Sequence, residues 1–327
     1  MDHISAIQQP DTTRQSAIAK DVLAGLSQTP KRLPSKYFYD ERGDKLFQDI
    51  MNMPSYYLTD AEHEIFETHK NNLLEVIGTA PFELIELGAG DGSKTKVLLQ
   101  HFLSKGVDFT YRPIDISPNV LIQLEHHLKE ALPSLKIDSI PGDYFEKLGE
   151  LKKNKNIRKV ALFLGANIGN YTRPEATNFL TSVGNALNPG DFLMVGFDLM
   201  KDPQIILDAY NDKEGITADF NLNLLDRLNR ELGANFDREA FKHWETYHPI
   251  TGATKSYLIS TEQQTVYFSK LGKTIDFDAW EAIDVELSLK YDLKGIEAMA
   301  HSAYFEVVQH FYDSRQYFVD SLWQKRS

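Results

Sequence analysis

The sequence predicts an α/β fold: a doubly wound, parallel, Rossmann-like sheet joined to a second, α+β domain. Three observations predict it. From Phe82 to Leu199, apolar strand-like runs alternate with helical patterns, which places strands near 82–87, 109–114, 136–140, 159–164 and 192–197. A glycine turn, Gly88-Ala89-Gly90-Asp91-Gly92, stands between the first of these strands and a helical pattern that opens at Thr95. From Asp198 the rhythm breaks: a helical stretch reaches Phe241, and strand-like runs then fill His243 to Lys290.

Bulk properties narrow the function. At 327 residues the chain can bury a large core and hold more than one domain. A net charge of −12 disfavours a nucleic-acid partner, which needs a basic face to neutralise phosphates. There is no cysteine, so disulfides and thiolate metal sites are excluded, and no metal is expected. No apolar run approaches a membrane span, and the N-terminus is polar without a signal-peptide core. A cytoplasmic monomer with a small-molecule substrate is expected.

In chain order, residues 1–15 are polar and read as loosely ordered, and Ser16 to Leu26 as a short helix. Lys31 to Gly43 mixes aromatic and charged residues, unlike a plain core segment. Asp44 to Met51 reads as helix, and Thr59 or Asp60 as the N-cap of a helix over Ala61 to Asn72. The tyrosines before that helix fit either simple packing or a lid whose phenols face a ligand. Within 284–291 the pattern alternates strictly, and the 286/288/290 face carries Glu, Ser and Lys, which suits either solvent or a site lining. Leu293 to Ala303 reads as helix, with strands at Glu306 to His310 and Gln316 to Trp323.

The glycine spacing discriminates between cofactors. A dinucleotide turn wants G-x-G-x-x-G, but here the third glycine comes one residue early and Ser93 takes its place. Glu86-x-Gly88-x-Gly90 instead resembles motif I of class I methyltransferases, which bind S-adenosylmethionine (SAM). Asp115 ends the second strand, where an acid can accept from both ribose hydroxyls. Gly142-Asp143-Tyr144 follows the third strand, where a class I enzyme places the acid near adenine. After Leu164, small residues and the amides of Asn167 and Asn170 suit an ammonium or a carboxylate, since Asn both donates and accepts.

Longer motifs point to one family. They are Leu33-Pro34-x-Lys36-x-Phe38-Tyr39-Asp40, Pro54-x-Tyr56-Tyr57-x-Thr59, Gly165-x-x-Ile168-Gly169-Asn170, Asp198-Leu199-x-Lys201-Asp202, Ala209-Tyr210-x-Asp212-x-x-Gly215-x-Thr217-Ala218, Leu228-Asn229-Arg230-Glu231-Leu232 and Glu286-x-Ser288-x-Lys290. Over nearly its whole length the chain resembles the SAM-dependent histidine Nα-methyltransferases of ergothioneine biosynthesis, which make hercynine. The resemblance implies a class I sheet for SAM, residues 61–198 plus 288–327, and a split substrate domain for histidine, residues 1–60 plus 199–287. It implies that Tyr56, Asn170, Tyr210 and Glu286 hold the α-amino and carboxylate groups. Ser288 would bond the imidazole and Tyr39 would line the same pocket. Gly88, Lys94, Asp115, Asp143 and Tyr144 would contact SAM. No residue is identified as a general base. One departure stands out: Ser256 lies where the described histidine enzyme has Met, which leaves room for a bulkier ring such as tryptophan's. Methylation of another amino acid's α-amine, or a non-catalytic SAM and amino-acid binding module, are the alternatives.

Overall fold

The computed structural model describes residues 12–151 and 157–327. In chain order its elements are α1 (Thr12–Leu26), β1 (Lys31–Arg32), α2 (Glu41–Met51), α3 (Tyr57–Ile77), β2 (Phe82–Leu87), α4 (Thr95–Ser104), β3 (Phe109–Asp115), α5 (Pro118–Ala131), β4 (Lys136–Ile137), β5 (Ile140–Pro141), α6 (Tyr144–Leu151), β6 (Arg158–Phe163), α7 (Arg173–Ala186) and β7 (Phe192–Asp198). They continue with α8 (Pro203–Tyr210), α9 (Ile216–Leu232), β8 (Phe241–His248), β9 (Ala253–Ser260), β10 (Gln264–Phe268), β11 (Lys273–Phe277), β12 (Ala282–Leu289), α10 (Leu293–Ser302), β13 (Phe305–Tyr312) and β14 (Phe318–Lys325). The described residues divide into two compact units. The smaller takes the chain up to Tyr56, Pro203–Tyr247 and Thr254–Leu287; the larger takes Tyr57–Asp202, His248–Ala253 and Ser288–Ser327.

The larger unit is built on a sheet of order β13-β14-β7-β6-β2-β3-β4, with β5 also on β3. Strands β2, β3, β4, β6 and β7 run parallel, and β14 runs antiparallel to β7. The parallel run is the one expected, and the β13–β14 hairpin adds an antiparallel strand beside β7 that makes the sheet mixed. Every residue of β2 and β7 is buried, as strands covered by helices on both faces require. The turn into β7 is fixed by Asp191, which accepts from the Lys159 N–H at 2.9 Å and the Asn188 N–H at 2.7 Å. Helix α3 starts at Tyr57, four residues before the expected Ala61, so Thr59 and Asp60 lie in its first turn instead of capping it. The reason is burial: Tyr57 and Leu58 already belong to its inward stripe with Ala61, Ile65 and Phe66.

The smaller unit packs α1, α2 and α9 with a sheet of order β1-β12-β9-β8 and the β10–β11 hairpin. Its core joins Phe38, Leu224, Leu225, Leu228, Leu258, Ile283 and Val285. Helix α1 begins at Thr12 instead of Ser16; residues 1–11, also expected to be loosely ordered, lie outside the described residues. The aromatic–charged segment 31–43 is held by α9. Arg227, fully buried, donates to the carbonyls of Tyr37 at 2.9 Å and Tyr39 at 3.1 Å. Asp40 caps α2 through the Gly43 N–H at 2.8 Å and accepts from Asn223 at 2.9 Å and from Arg230. The other long motif here is also structural: Asp212 caps α9 through the Ile216 and Thr217 N–H groups, both at 2.8 Å.

One buried cluster in the larger unit carries charge. Glu62 sits on the apolar stripe of α3, fully buried, and its carboxylate takes the Lys94 ammonium and the Gly165 N–H at 2.8 Å. Asp320 on β14 lies beside it, because β7 is bare at Gly196: a Cβ there would stand 2.5 Å from Glu62 Oε1 and 3.1 Å from Asp320 Oδ1. Burial, reinforced by the Glu62 carboxylate and only partly offset by Lys94, pushes the Asp320 carboxyl well above the usual range. A raised folded pKa contributes stability that is complete below the unfolded value near 4 and is lost as pH rises toward the folded one. Asp320→Asn, which cannot ionise, should therefore gain on wild type above about pH 4, by roughly 1.4 kcal/mol per pH unit. Denaturant unfolding at about pH 5 and about pH 7 measures it; an unchanged difference between the two proteins would mean that Asp320 is ionised in the folded state.

Candidate active site

The glycine turn follows β2 directly. Gly88, Gly90 and Gly92 adopt φ of 76°, 55° and 65°, a left-handed run that side chains resist. A Cβ on Gly90 would meet nothing within 4 Å, and one on Gly88 would come no closer than 3.7 Å, to Asn167 Nδ2. At Gly88 and Gly90 the backbone thus borders open space, which fits a bound nucleoside, whereas Gly92 packs against Leu124, where a Cβ would stand 2.3 Å from Cδ1. Asp115, at the end of β3, braces the turn: its carboxylate accepts from the Gly90 N–H at 3.1 Å and the Ser117 N–H at 2.9 Å. Each oxygen keeps a second acceptor position for ligand hydroxyls. Asp143 ends the loop after β5, and Tyr144 opens α6 with its phenol 2.5 Å from that of Tyr171. Burial and that neighbour push the Tyr144 pKa up and keep the phenol protonated. Lys94 is engaged by Glu62 at the entrance of α4.

Glu86, on the motif I strand, is fully enclosed; it accepts from Thr95 Oγ1 at 2.7 Å and from Tyr111. Burial pushes its carboxyl up to about 7 despite those donors. Its role is to tie β2, β3 and α4 together under the turn.

The loop after β6 carries a strained residue: Ala166 sits at φ 56°, rare for a residue with a Cβ. The single turn that follows, Asn167–Asn170, presents its two amides differently. Asn167 points its amide toward Gly88, while Asn170 is exposed. Gly169 between them lies hard against the end of β12; a Cβ there would be 2.8 Å from the Leu289 carbonyl and 3.6 Å from Ser288 Oγ. The Asn loop and Ser288 are therefore neighbours within the larger unit. Ser288 and Lys290 are buried, so the polar face read from the sequence is not a solvent face. Lys290 donates to Ser288 Oγ at 2.8 Å and pairs with Asp198 at 2.9 Å.

In the smaller unit the three sequence-identified tyrosines belong to one aromatic chain. Tyr210 meets Tyr56 edge-on at 6.1 Å, Tyr56 meets Phe47 at 6.5 Å, Phe47 meets Tyr39 at 5.5 Å, and Tyr39 meets Phe220 at 5.6 Å. Glu286 stands on β12 beside Ser256 on β9, whose hydroxyl lies 3.1 Å from Glu286 Oε2 and 2.6 Å from Glu245 Oε2 on β8. His243 Nε2 is 3.7 Å from the same Glu245 oxygen and is buried. Ser256, expected to leave room for a larger ring, is instead enclosed in a polar row across three neighbouring strands.

Residues 18–325 match the model of the family described as histidine-specific methyltransferase, SAM-dependent. The chain belongs to that family. It is 36% identical over 282 residues to the histidine N-alpha-methyltransferase of Mycobacterium tuberculosis, covering 86% of this chain and 87% of the relative. It is 32% identical over 251 residues to ergothioneine biosynthesis protein 1 of Schizosaccharomyces pombe, which spans 74% of this chain and 32% of that longer protein. A more distant relative, the 4-dimethylallyltryptophan N-methyltransferase of Penicillium roqueforti, is 27% identical, with 89% of each chain covered.

As a SAM-dependent methyltransferase of this family, the chain uses SAM; the glycine turn, Asp115, Asp143 and Tyr144 stand at the ends of β2, β3 and β5, where such a group could be held. Sequence reasoning missed Glu62, Phe47, Glu245 and His243. Glu62 had a signal, an acid on the apolar stripe of a helix; Glu245 and His243 alternate inward on β8 between exposed Lys242 and Trp244. Among the described residues no group of acids and histidines has metal-ligand geometry, and no helix is long and apolar enough to cross a membrane. Asp115→Ala should weaken SAM binding by about 1–3 kcal/mol, the scale of lost hydrogen bonds to a charged group. Calorimetry on the folded variant measures this, and unchanged affinity would remove Asp115 from the site.

Proposed function

We propose that this protein is an L-histidine Nα-methyltransferase that transfers three methyl groups from SAM to the α-amine, giving hercynine. The observation that carries the reading is the 36% identity to a histidine N-alpha-methyltransferase over nearly the whole of both chains. SAM supplies an electrophilic methyl on a sulfonium. The chain's own residues supply alignment and electrostatics. An ammonium has no lone pair, so a proton leaves before each transfer. Asn170, Tyr56 and Tyr210 suit the amine and carboxylate of the amino acid, and Glu286 suits an ammonium. A carboxylate near an amine raises its pKa, so Glu286 acts as a binder more than a base. Each methylation leaves positive charge spread over a bulkier head. Aromatic faces attract such charge, and the Tyr39–Phe47–Tyr56–Tyr210 chain supplies them.

A tryptophan-type substrate is the second reading, favoured by the relative that methylates 4-dimethylallyltryptophan. The histidine reading is preferred because the relatives at 32–36% identity are histidine N-alpha-methyltransferases and ergothioneine biosynthesis proteins, whereas the tryptophan-type relative is 27% identical. Incubation with SAM and each amino acid, followed by mass spectrometry, tests both readings. Histidine should gain three methyl groups, and should outcompete tryptophan at equal concentration. Faster tryptophan methylation overturns the histidine assignment, and no methylated amino acid overturns the reading as a whole. Glu286→Ala should raise the KM for histidine strongly and leave SAM affinity within about twofold. Equal loss of both ligands would make Glu286 structural.

A further inference from the structure

In the larger unit, the glycine turn after β2 and the loop after β6 border one small space, and donors line it. Gly88 and Gly165, one in each loop, take left-handed φ of 76° and 72°, and both are half-buried. A Cβ on Gly165 would stand 3.5 Å from Lys94 Nζ and 3.6 Å from Asn167 Nδ2. A Cβ on Gly88 would meet the same Asn167 Nδ2 at 3.7 Å. The groups nearest these two points, the glycines' own chain neighbours aside, are thus an ammonium and an amide nitrogen, with no oxygen among them.

The backbone is strained where it delivers Asn167. Ala166 holds φ 56°, which a Cβ resists. Hydrogen bonds on both sides keep it there: the Gly165 N–H donates to Glu62 and the Gly169 N–H donates to the Ala166 carbonyl, each at 2.8 Å. Asn170, three residues on, is exposed, so the loop sends its two amides to different places. Lys94 is gripped from behind by the buried Glu62 carboxylate, yet 22% of its side chain remains exposed. An ammonium has three donors, so one ion pair does not exhaust it. Burial and the Glu62 carboxylate push the Asp320 carboxyl up, which favours its neutral form, so the charges of Glu62 and Lys94 balance behind the space. A carboxylate suits such a place, because it accepts from several donors at once and gains from a cationic one. An ammonium there would face two donors.

We propose that Asn167 is a cofactor-binding residue, which together with Lys94 takes the carboxylate at the methionine end of SAM. This rests on the nucleoside lying against the glycine turn, and goes beyond it by giving the far end of the cofactor to the loop after β6. Asn167 thereby distinguishes the intact cofactor from forms that lack the carboxylate, and Asn170 is left to the amino-acid substrate.

Calorimetry with three probes tests this. They are S-adenosylhomocysteine, its decarboxylated form, which keeps the ammonium, and methylthioadenosine, which lacks the whole tail. Wild type should bind S-adenosylhomocysteine at least about tenfold more tightly than the decarboxylated form. Asn167→Ala should weaken S-adenosylhomocysteine roughly tenfold and leave the other two within about twofold. Asn167→Asp, which keeps the shape and adds an anion, should weaken S-adenosylhomocysteine further and spare the decarboxylated form. Thermal unfolding shows that each variant is folded; if Asn167→Ala is not, Asn167→Ser, which keeps one donor, should give a smaller loss confined to the same probe. Equal losses on all three probes would make Asn167 structural and overturn the proposal. So would a wild type that binds S-adenosylhomocysteine and its decarboxylated form equally. Unchanged S-adenosylhomocysteine affinity in Asn167→Ala with a raised KM for histidine would give Asn167 to the substrate and overturn it too. If Asp115→Ala also leaves S-adenosylhomocysteine affinity unchanged, the placement of the nucleoside at the turn has failed, and the proposal falls with it.

Discussion

The Asp198 carboxylate is the constraint on which the larger unit's polar interior depends. Burial alone would raise its pKa; Lys290 and Lys201 beside it more than reverse that and hold it below the ordinary carboxylate range. The carboxylate ends β7, receives the phenol that opens α3, and anchors the lysine that follows β12. A buried ion group of this kind is seldom the cheapest way to fill a core, since well-packed apolar residues serve as well or better. Its value lies in orientation. Tyr57, Lys201 and Lys290 all donate to the one carboxylate, so the ends of three elements are fixed in angle as well as in position.

The same logic recurs around the glycine turn. Glu62 spans Lys94 and Gly165, one on each of two loops that leave the sheet at the ends of parallel strands. Asp115 holds Gly90, and Glu86 holds Thr95 and Tyr111. The turn is therefore braced from below by three carboxyl groups while its upper surface is bare glycine backbone. The smaller unit works differently. Its tyrosines are set by ring-on-ring packing through Phe47 and Phe220, and its carboxylates by the Ser256 hydroxyl. An aromatic wall with a local acidic row is suited to an ammonium that becomes progressively more methylated.

Much of this was legible in the sequence, and the reasons differ by part. The parallel strands declare themselves because burial on both faces demands continuous apolar runs, as in Phe82–Leu87. The turn declares itself through glycines that left-handed φ requires. Boundaries were less legible: α3 starts early because its first residues are held by tertiary packing and not by a cap, and β11, Lys273–Phe277, is too polar to stand out without its partner β10. Several motif residues that mark the family turn out to be structural. Asp40, Asp212 and Arg230 cap or clamp helices, which their motifs alone do not reveal. Ser256 was legible as a departure but not in its effect, because its partner Glu245 lies on a strand that no spacing rule connects to it.

The most direct measurement of the central claim is a crystal structure of the protein with S-adenosylhomocysteine and histidine. The account predicts the nucleoside against the Gly88–Gly92 turn with its ribose on Asp115. It also predicts the histidine α-ammonium within hydrogen-bond distance of the Glu286 carboxylate. A nucleoside bound away from the glycine turn, or a histidine whose ammonium lies far from Glu286, would contradict it.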